Sequence, residues 1–329
     1  MAETSLPKVS IIVASMNSQD TIEECLKAIL AQNYPDGYIE VIVMDGGSKD
    51  ATVKIAEKYP VKVLSIRLNA PAAYNYAIKI ASHPILGFID ADAKVEKEWL
   101  NKLTPHLEDP QVAGVSGSID TWNSKNPWAR SIGYELKTRY SRIGKYTGRI
   151  ATMNLLLKKS VIEGAGGWDE KLPSQYDTDL GFRISAKGYK IAYEPSAVCY
   201  HFNRPTLKAY YRQQFQYGKN TIKLYFKHAH LAKGDEITDL GMNIQPALII
   251  AVIVCFLLGI LEVLRPLWYV TGLLLLAMFA YYVYSAVRIA VKFQDRTALR
   301  LVVLYYVRAF AWLAGAVITT VKYLRGKER

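Results

Sequence analysis

Two carboxylates separated by one residue, Asp90-Ala91-Asp92, follow the apolar run Ile85 to Ile89. Alternate residues of an extended chain point the same way, so both carboxylates arrive on one side. Together they repel, and a divalent cation relieves the repulsion. Mg2+ and Mn2+ take such oxygen ligands while holding a diphosphate. The competing structural reading is a polar loop with an Asp helix cap. A further carboxylate, Asp45, ends the apolar run Ile39 to Met44 and opens Asp45-Gly46-Gly47-Ser48-Lys49-Asp50. Its glycines permit a tight turn. Asp50 or Ser48 can cap a helix starting near Ala51, which accounts for Asp50 without function. It does not account for Asp45, which can accept hydrogen bonds from a nucleobase or ribose. The third cluster is Gly166-Gly167-Trp168-Asp169-Glu170 followed by Tyr176-Asp177-Thr178-Asp179-Leu180. Asp177 and Asp179 near a helix start serve either the helix dipole or, for one of them, as a general base toward a sugar hydroxyl. His201, after the strand-like Lys190 to Tyr200, is a metal ligand, a phosphate contact or a structural histidine.

These residues need a scaffold that brings them together. Val9 to Ala14, Ile39 to Met44, Val61 to Ile66 and Ile85 to Ile89 read as short apolar strands. Thr21 to Gln32, Ala51 to Lys58 and Pro71 to Ala81 read as helices, the last opening on a proline that suits a first turn. The alternation predicts an α/β fold with a mostly parallel sheet and helices on both faces. Such sheets bind ligands beyond the carboxyl ends of their strands. Ser15-Met16-Asn17, the Asp45 turn and Asp90-Ala91-Asp92 are therefore expected to converge on one edge.

The 329 residues exceed one minimal domain, and the apolar residues crowd into the last third. Pro246 to Leu264 is broken late by Glu262, Leu267 to Val287 carries no charge, and Leu301 to Val321 carries only Arg308. Each approaches the roughly 20 residues needed to span a bilayer. No such run opens the chain, so no cleavable signal peptide is expected, and the α/β domain is expected on the cytoplasmic face of a cell membrane. Residues 1–203 are expected to form that domain, 204–243 basic amphipathic interfacial helices, and 244–329 a transmembrane region with about three hydrophobic helices. The net charge is +12. Much of it sits between Arg204 and Lys233, where lysines and Arg212 interleave with Tyr210, Tyr211, Phe215 and Tyr217. Next to membrane runs, this points to anionic lipid headgroups and not to nucleic acid, with a solvated basic face as the competing reading. Three spans would leave Lys322, Arg325, Lys327 and Arg329 outside, against the positive-inside rule, while Arg288 to Arg300 fits the inside. Arg308 makes the third run the one least suited to cross. Cys25, Cys199 and Cys255 show no paired spacing and read as reduced thiols.

The ordered set of motifs resembles glycosyltransferase family 2, of the GT-A fold, over roughly Pro7 to Tyr217. Val9 to Asn17 is similar to the family's opening strand and polar segment, and Asp45 to Asp50 to its Asp-Gly-Ser-x-Asp turn. Asp90-Ala91-Asp92 is similar to its Asp-x-Asp motif, Gly166 to Glu170 to its Gly-Gly-Phe-Asp-Glu segment, and Tyr176 to Leu180 to its Glu-Asp-x-Asp-Leu segment. The resemblance implies a nucleotide site at Ala14, Ser15, Asn17, Asp45, Asn75 and Asp90. It implies a divalent metal, Mn2+ or Mg2+, on Asp92 with His201 nearby, a donor-sugar contact at Asn154 and an acceptor base at Asp177. The stretch Gln213-Gln214-Phe215-Gln216-Tyr217 is similar to a segment of membrane glycosyltransferases that assemble exopolysaccharides and lipid-linked saccharides. It places Gln213, Gln216 and Tyr217 on the acceptor or phosphate side. The chain departs from the pattern at Ala14 for proline, Met16 for tyrosine, Tyr74 for a basic residue and Tyr176 for glutamate.

The function so implied is inverting transfer of a sugar from a UDP- or GDP-sugar to a lipid-linked or polyprenyl-phosphate acceptor. A processive polysaccharide synthase, a non-catalytic membrane scaffold of the same fold and a nucleotidyltransferase stay open as alternatives.

Overall fold

The computed structural model describes residues 6–325. Lys327 and Arg329 of the basic tail lie outside the described residues. In chain order the elements are β1 (Val9–Ser15), α1 (Ile22–Leu30), β2 (Ile39–Asp45), α2 (Thr52–Ala56), β3 (Lys62–Ser65), α3 (Ala70–Ile80), β4 (Ile85–Asp90), β5 (Ala93–Val95), α4 (Trp99–Leu103) and β6 (Val112–Thr121). There follow α5 (Pro127–Tyr140), β7 (Leu155–Lys158), α6 (Lys159–Gly164), α7 (Tyr176–Ala186) and β8 (Lys190–His201). The carboxyl-terminal helices are α8 (Leu207–Lys227), α9 (Leu240–Asn243), α10 (Gln245–Leu258), α11 (Leu267–Phe293) and α12 (Leu301–Leu324). The chain divides into two compact units, residues 1–122 with 140–202 and residues 123–139 with 203–329.

The first unit is a single sheet in the order β3-β2-β1-β4-β7-β6-β8-β5. The four strands read from the alternation pair in parallel around β1, as expected. Beyond them the sheet is mixed: β7 runs antiparallel to β4 and β6, and β5 runs antiparallel to β8. The central strand β1 is buried almost throughout because both its edges and both its faces are covered. Val9, Ile11 and Val13 pack against Ile22, Cys25, Leu26 and Ile29 of α1. Ile12, on the other face, joins Tyr74, Ala77 and Ile78 of α3. The Asn69 side chain caps α3 by accepting from the Ala72 amide, and Pro71 occupies its first turn.

The second unit is helical. Residues 240–258, 267–293 and 296–324 are three helical segments long and apolar enough to cross a membrane. Two boundaries differ from the sequence reading. The first apolar run is not helical to Leu264: α10 ends at Leu258, and Gly259 packs so closely on the Trp268 indole that a Cβ would lie 2.3 Å from it. Residues 288–293 of the expected basic loop extend α11, because Ile289 is buried and continues the helical face of Met278, Tyr282 and Ala286. Helix α5, nearly all of it within this unit, packs on its carboxyl-terminal helices. Ser131 donates to the Thr297 carbonyl, Tyr134 donates to Asp295, and Arg130 pairs with Asp295 at 3.1 Å. The buried Glu135 carboxylate pairs with buried Arg308 of α12. Helices α8 and α12 cross at glycines: a Cβ on Gly218 would lie 2.5 Å from the Trp312 backbone, and one on Gly315 would lie 2.4 Å from the Phe215 carbonyl oxygen.

Candidate active site

Strand register alone brings the first three clusters together. Ser15 lies beside Asp45 across β1 and β2, and Ala14 lies beside Asp90 across β1 and β4. The Asp45 carboxylate is buried and satisfied by its own turn. It accepts from the Gly47 and Ser48 amides at 3.0 Å, from the Ser65 hydroxyl at 2.7 Å and from the Ser48 hydroxyl. Burial pushes its pKa up, but these hydrogen bonds outweigh burial and hold it below the ordinary value. Gly47, at φ 94°, makes the turn possible. Asn17, itself left-handed at φ 51°, ties the neighbouring loop down: its amide donates to Ser48 Oγ at 2.7 Å and its side chain accepts from Lys49 N–H at 3.0 Å. Asp50 accepts from Thr52 and Gln19, the capping role its position suggested. Ser15 Oγ is buried with no hydrogen-bond partner among the described residues. It is an unsatisfied group in the midst of this cluster.

Asp90 is held from beneath. The Thr152 hydroxyl donates to Oδ1 at 3.1 Å and the Tyr74 hydroxyl reaches the same oxygen at 3.3 Å. Burial and the adjacent Asp92 charge push its pKa up to about 6, against opposing pulls from His201 and Thr152. Asp177 is close enough for its charge to add to the rise. The antiparallel β5–β8 pair sets Ala93 opposite His201 and so brings His201 Nε2 to 3.4 Å from Asp92 Oδ1. Among the described residues no group of three or more His, Cys, Asp or Glu is placed to hold a metal ion. The arrangement nonetheless suits Mg2+ or Mn2+, which bind through one or two carboxylates and complete their shell with substrate phosphates and water. Two repelling carboxylates, one of them resisting ionisation, supply the oxygen donors, and the imidazole supplies a nitrogen.

The Asp177-Thr178-Asp179 segment divides by burial. Asp179 is fully buried and pairs with Arg183 at 2.8 Å. Arg183 in turn donates to the carbonyls of Ala165 and Gly167, clamping the turn in which Gly166 and Gly167 both have positive φ. Asp177 is half-buried in the first turn of α7, its carboxylate accepting from the Thr178 amide. Burial raises its pKa and the Arg149 charge opposes that rise. The helix begins abruptly, since Gln175 before it is left-handed at φ 61°.

Two expected contacts are occupied by the protein itself. Asn154, expected at the donor sugar, is wholly buried. Its oxygen accepts from Trp99 Nε1 at 2.7 Å, and its nitrogen donates to the carbonyls of Ser118 and Ala197. It therefore ties β6 and β8 to α4 and presents no amide to a ligand. Asn75, expected in the nucleotide site, exchanges two hydrogen bonds of 2.8 Å with the Trp168 backbone and donates to Glu170. It is a strut under the glycine turn. Tyr74, in the place of a basic residue, joins Phe88, Trp168 and Tyr176 in an aromatic cluster with centroids 5.2–6.0 Å apart. The sequence reading missed Thr152 and Tyr74 as partners of Asp90, and only the hydroxyls themselves hinted at them. Gln213, Gln216 and Tyr217 lie on α8 in the second unit at i, i+3 and i+4, along its more exposed side. The buried glutamine of that segment is Gln214, which accepts from Trp312 Nε1 at 2.9 Å.

A mixed sheet whose parallel strands end in a capped turn and a partly buried carboxylate pair beside an imidazole, followed by a carboxylate on a helix start, makes a GT-A-like α/β domain. Residues 10–164 match the sequence model of glycosyl transferase family 2, and this match supports a family 2 glycosyltransferase domain followed by apolar carboxyl-terminal helices. It is 27% identical over 231 residues to glycosyltransferase AglE of Haloferax volcanii, covering 68% of this chain and 75% of that protein. It is 28% identical over 244 residues to the probable glycosyltransferase YdaM of Bacillus subtilis, covering 68% of this chain and 57% of the relative. With the poly-beta-1,6-N-acetyl-D-glucosamine synthase of Staphylococcus aureus the identity is 26% over 227 residues, covering 65% of this chain and 54% of the synthase. The chain thus spans little more than half the length of the last two. Among solved structures it is similar to the mannosyltransferase PcManGT from Pyrobaculum calidifontis, in complex with GDP-Man and Mn2+. The TM-score is 0.60 at 22% identity, over 99% of this chain and 89% of that one, a likeness of fold.

Proposed function

We propose that this glycosyltransferase moves a sugar, with inversion, from a UDP- or GDP-sugar to a lipid-borne acceptor at the cytoplasmic face of the cell membrane. The observation that carries the reading is the register that sets Ser15 beside Asp45 and Ala14 beside Asp90, with Asp92 and His201 at the next strand end. In this reading base and ribose lie against the Asp45 turn, and the nucleotide supplies a partner for Ser15 Oγ. Asp92 and His201, with Asp90 behind them, would hold a divalent cation that offsets the charge developing on the departing diphosphate. Asp177, partly buried and raised, takes the proton of an acceptor hydroxyl as that oxygen attacks the anomeric carbon from the face opposite the diphosphate. Asp179 and Arg183 keep the glycine turn and the start of α7 in place for it.

The lipid-borne acceptor is supported by the second unit, whose three helical segments are long and apolar enough to cross a membrane. Exposed Lys208, Arg212 and Lys227 along α8 suit a headgroup surface. The test is nucleoside-diphosphate release by purified protein across UDP- and GDP-sugars, with membrane lipid extract and Mn2+ or Mg2+. Release with one donor, lost in Asp92→Ala, is the expected result, and gel analysis of product length separates single transfer from polymerisation. Absence of both release and calorimetric binding of UDP and GDP would overturn the reading.

A further inference from the structure

Three helices suit a bilayer by length and composition, yet α12 is packed unlike the other two. The 19-residue segment Leu240–Leu258 and the 27-residue α11 expose broad apolar surfaces, Phe256, Leu257, Leu273 and Leu276 among them. At 1.5 Å per residue they reach about 28 and 40 Å, enough to cross. They form a hairpin: Trp268 Nε1, just after the turn, donates to the Phe256 carbonyl at 3.2 Å. Up to Val317, by contrast, the exposed residues of α12 fall in one stripe, Val303, Phe310 and Val317, which Val321 continues; only its last turns are exposed on several sides, at Ile318, Tyr323 and Leu324. Its other side is covered by α5 and α8 and, at Tyr305 and Tyr306, by Tyr282 of α11.

The partners on that covered side set its depth. Trp312 donates to Gln214, Gly315 lies against the backbone of Phe215 and Lys219, and Thr319 donates to the Lys219 carbonyl at 3.0 Å. Positions rise together on both helices, so α8 and α12 run side by side in the same direction through the middle of α12. Were α12 upright in the bilayer, the stretch around Gln214 to Lys219 would stand at its centre. Exposed Arg212 and Gln216 would be carried in with it. Such groups are costly at that depth unless they face protein or water. One turn earlier, Arg308 is buried against Glu135 of α5, a helix that also carries Arg130, Lys137 and Arg139.

We propose that α12 does not cross the bilayer but lies along its surface, its Val303–Phe310–Val317–Val321 stripe facing the acyl chains and its opposite side carrying α5 and α8 at headgroup depth. This is the orientation of an interfacial helix, one apolar face sunk into the boundary and charge above it. The chain then crosses twice, through residues 240–258 and 267–293. Lys322 and Arg325 return to the side of α8, which removes the conflict with the positive-inside rule. The proposal is independent of the glycosyl-transfer reading.

Single cysteines placed at Glu236, Val263 and Leu324, all exposed, test it in sealed vesicles with a membrane-impermeant maleimide. The unmodified chain is the blank, since Cys25 and Cys199 are buried and Cys255 lies within α10. Labelling after detergent confirms that each thiol reacts. Glu236→Cys and Leu324→Cys are expected to label from one side and Val263→Cys from the other. Leu324→Cys labelling together with Val263→Cys would establish a third crossing and overturn the proposal, as would labelling of all three from one side. A protease site appended after Arg329 reports the sidedness of the tail without depending on thiol reactivity. Cleavage from the side that labels Glu236→Cys is expected, and cleavage from the opposite side would overturn the proposal.

Discussion

Replacing Asp177 or Asp179 by asparagine separates chemistry from architecture within one turn of helix. Asp179 is fully buried, and its ion pair with Arg183 at 2.8 Å is the link that holds the Arg183 fork on the Ala165 and Gly167 carbonyls. Removing one partner of a buried pair costs about 3–5 kcal/mol. Arg183 keeps its carbonyl contacts and some exposure to water, so Asp179→Asn belongs near the lower end, about 3 kcal/mol. At roughly 2–4 °C per kcal/mol for a unit of this size, the unfolding midpoint should fall by about 6–12 °C. Asp177 is half-buried and its carboxylate accepts from Thr178, a bond that an asparagine oxygen retains. Asp177→Asn should therefore leave the stability within about 1 kcal/mol of the parent protein. Its turnover with a hydroxyl acceptor should fall by about 10²–10⁴, the usual contribution of a general base. The assay is nucleoside-diphosphate release per folded protein, run beside thermal unfolding of the same detergent-solubilised samples. With a polyprenyl phosphate, which arrives already anionic, the loss at Asp177→Asn should shrink toward nothing. A stable but inactive Asp179→Asn, together with an Asp177→Asn protein fully active on a hydroxyl acceptor, would refute the division of roles.

Asp92→Ala should abolish nucleoside-diphosphate release and remove the dependence of nucleotide binding on Mn2+, read by calorimetry with and without chelator. Arg149→Gln removes the charge that opposes the rise of the Asp177 pKa. The base then protonates at higher pH, so the acid limb of the pH–turnover profile should move upward. For Glu40, burial works against ionisation, but hydrogen bonds from Lys62, Ser10 and Ser82 hold its pKa down at about 2. A depressed carboxylate stabilises the fold above its unfolded value, and the contribution fades as pH falls toward 2. Glu40→Gln should thus cost about 2 kcal/mol at neutral pH, allowing for the exposure of Lys62, with the difference shrinking below about pH 4.5 and closing only below about pH 2. Gly315→Val would force the α8 and α12 backbones apart and should destabilise by about 1–3 kcal/mol. Gly272→Ala, where a Cβ meets open space, should cause no such loss in the same thermal assay.

The strands that carry the nucleotide cluster were legible because a central parallel strand is nearly continuous hydrocarbon: β1, β2 and β4 fall within a residue of their expected ends. Convergence of the loops then followed from strand direction alone. The individual side chains were harder. Nothing local marks Asn154 as a core residue, since its partners Trp99 and Ala197 lie 55 and 43 residues away. The structural role of Asp179 did leave a trace, a cation four residues on at Arg183, the spacing of a helical ion pair. The antiparallel strand β7 is only four residues long, and no alternation announces it. The attachment of α5 to the carboxyl-terminal helices was invisible, because an amphipathic helix does not declare which distant surface will cover it.

That attachment has a temporal side. Ser131 and Glu135 meet Thr297 and Arg308, partners 166 and 173 residues later in the chain. At about 5–20 residues per second of synthesis, α5 leaves the ribosome roughly 8–35 s before the helix that neutralises Glu135 exists. Through that interval the carboxylate and the apolar side of α5 must be kept in water, on a chaperone or on a bilayer surface. Slowing translation after residue 140 should therefore lengthen the exposure of this one helix and lower the yield of folded protein, whereas Glu135→Gln should soften the penalty.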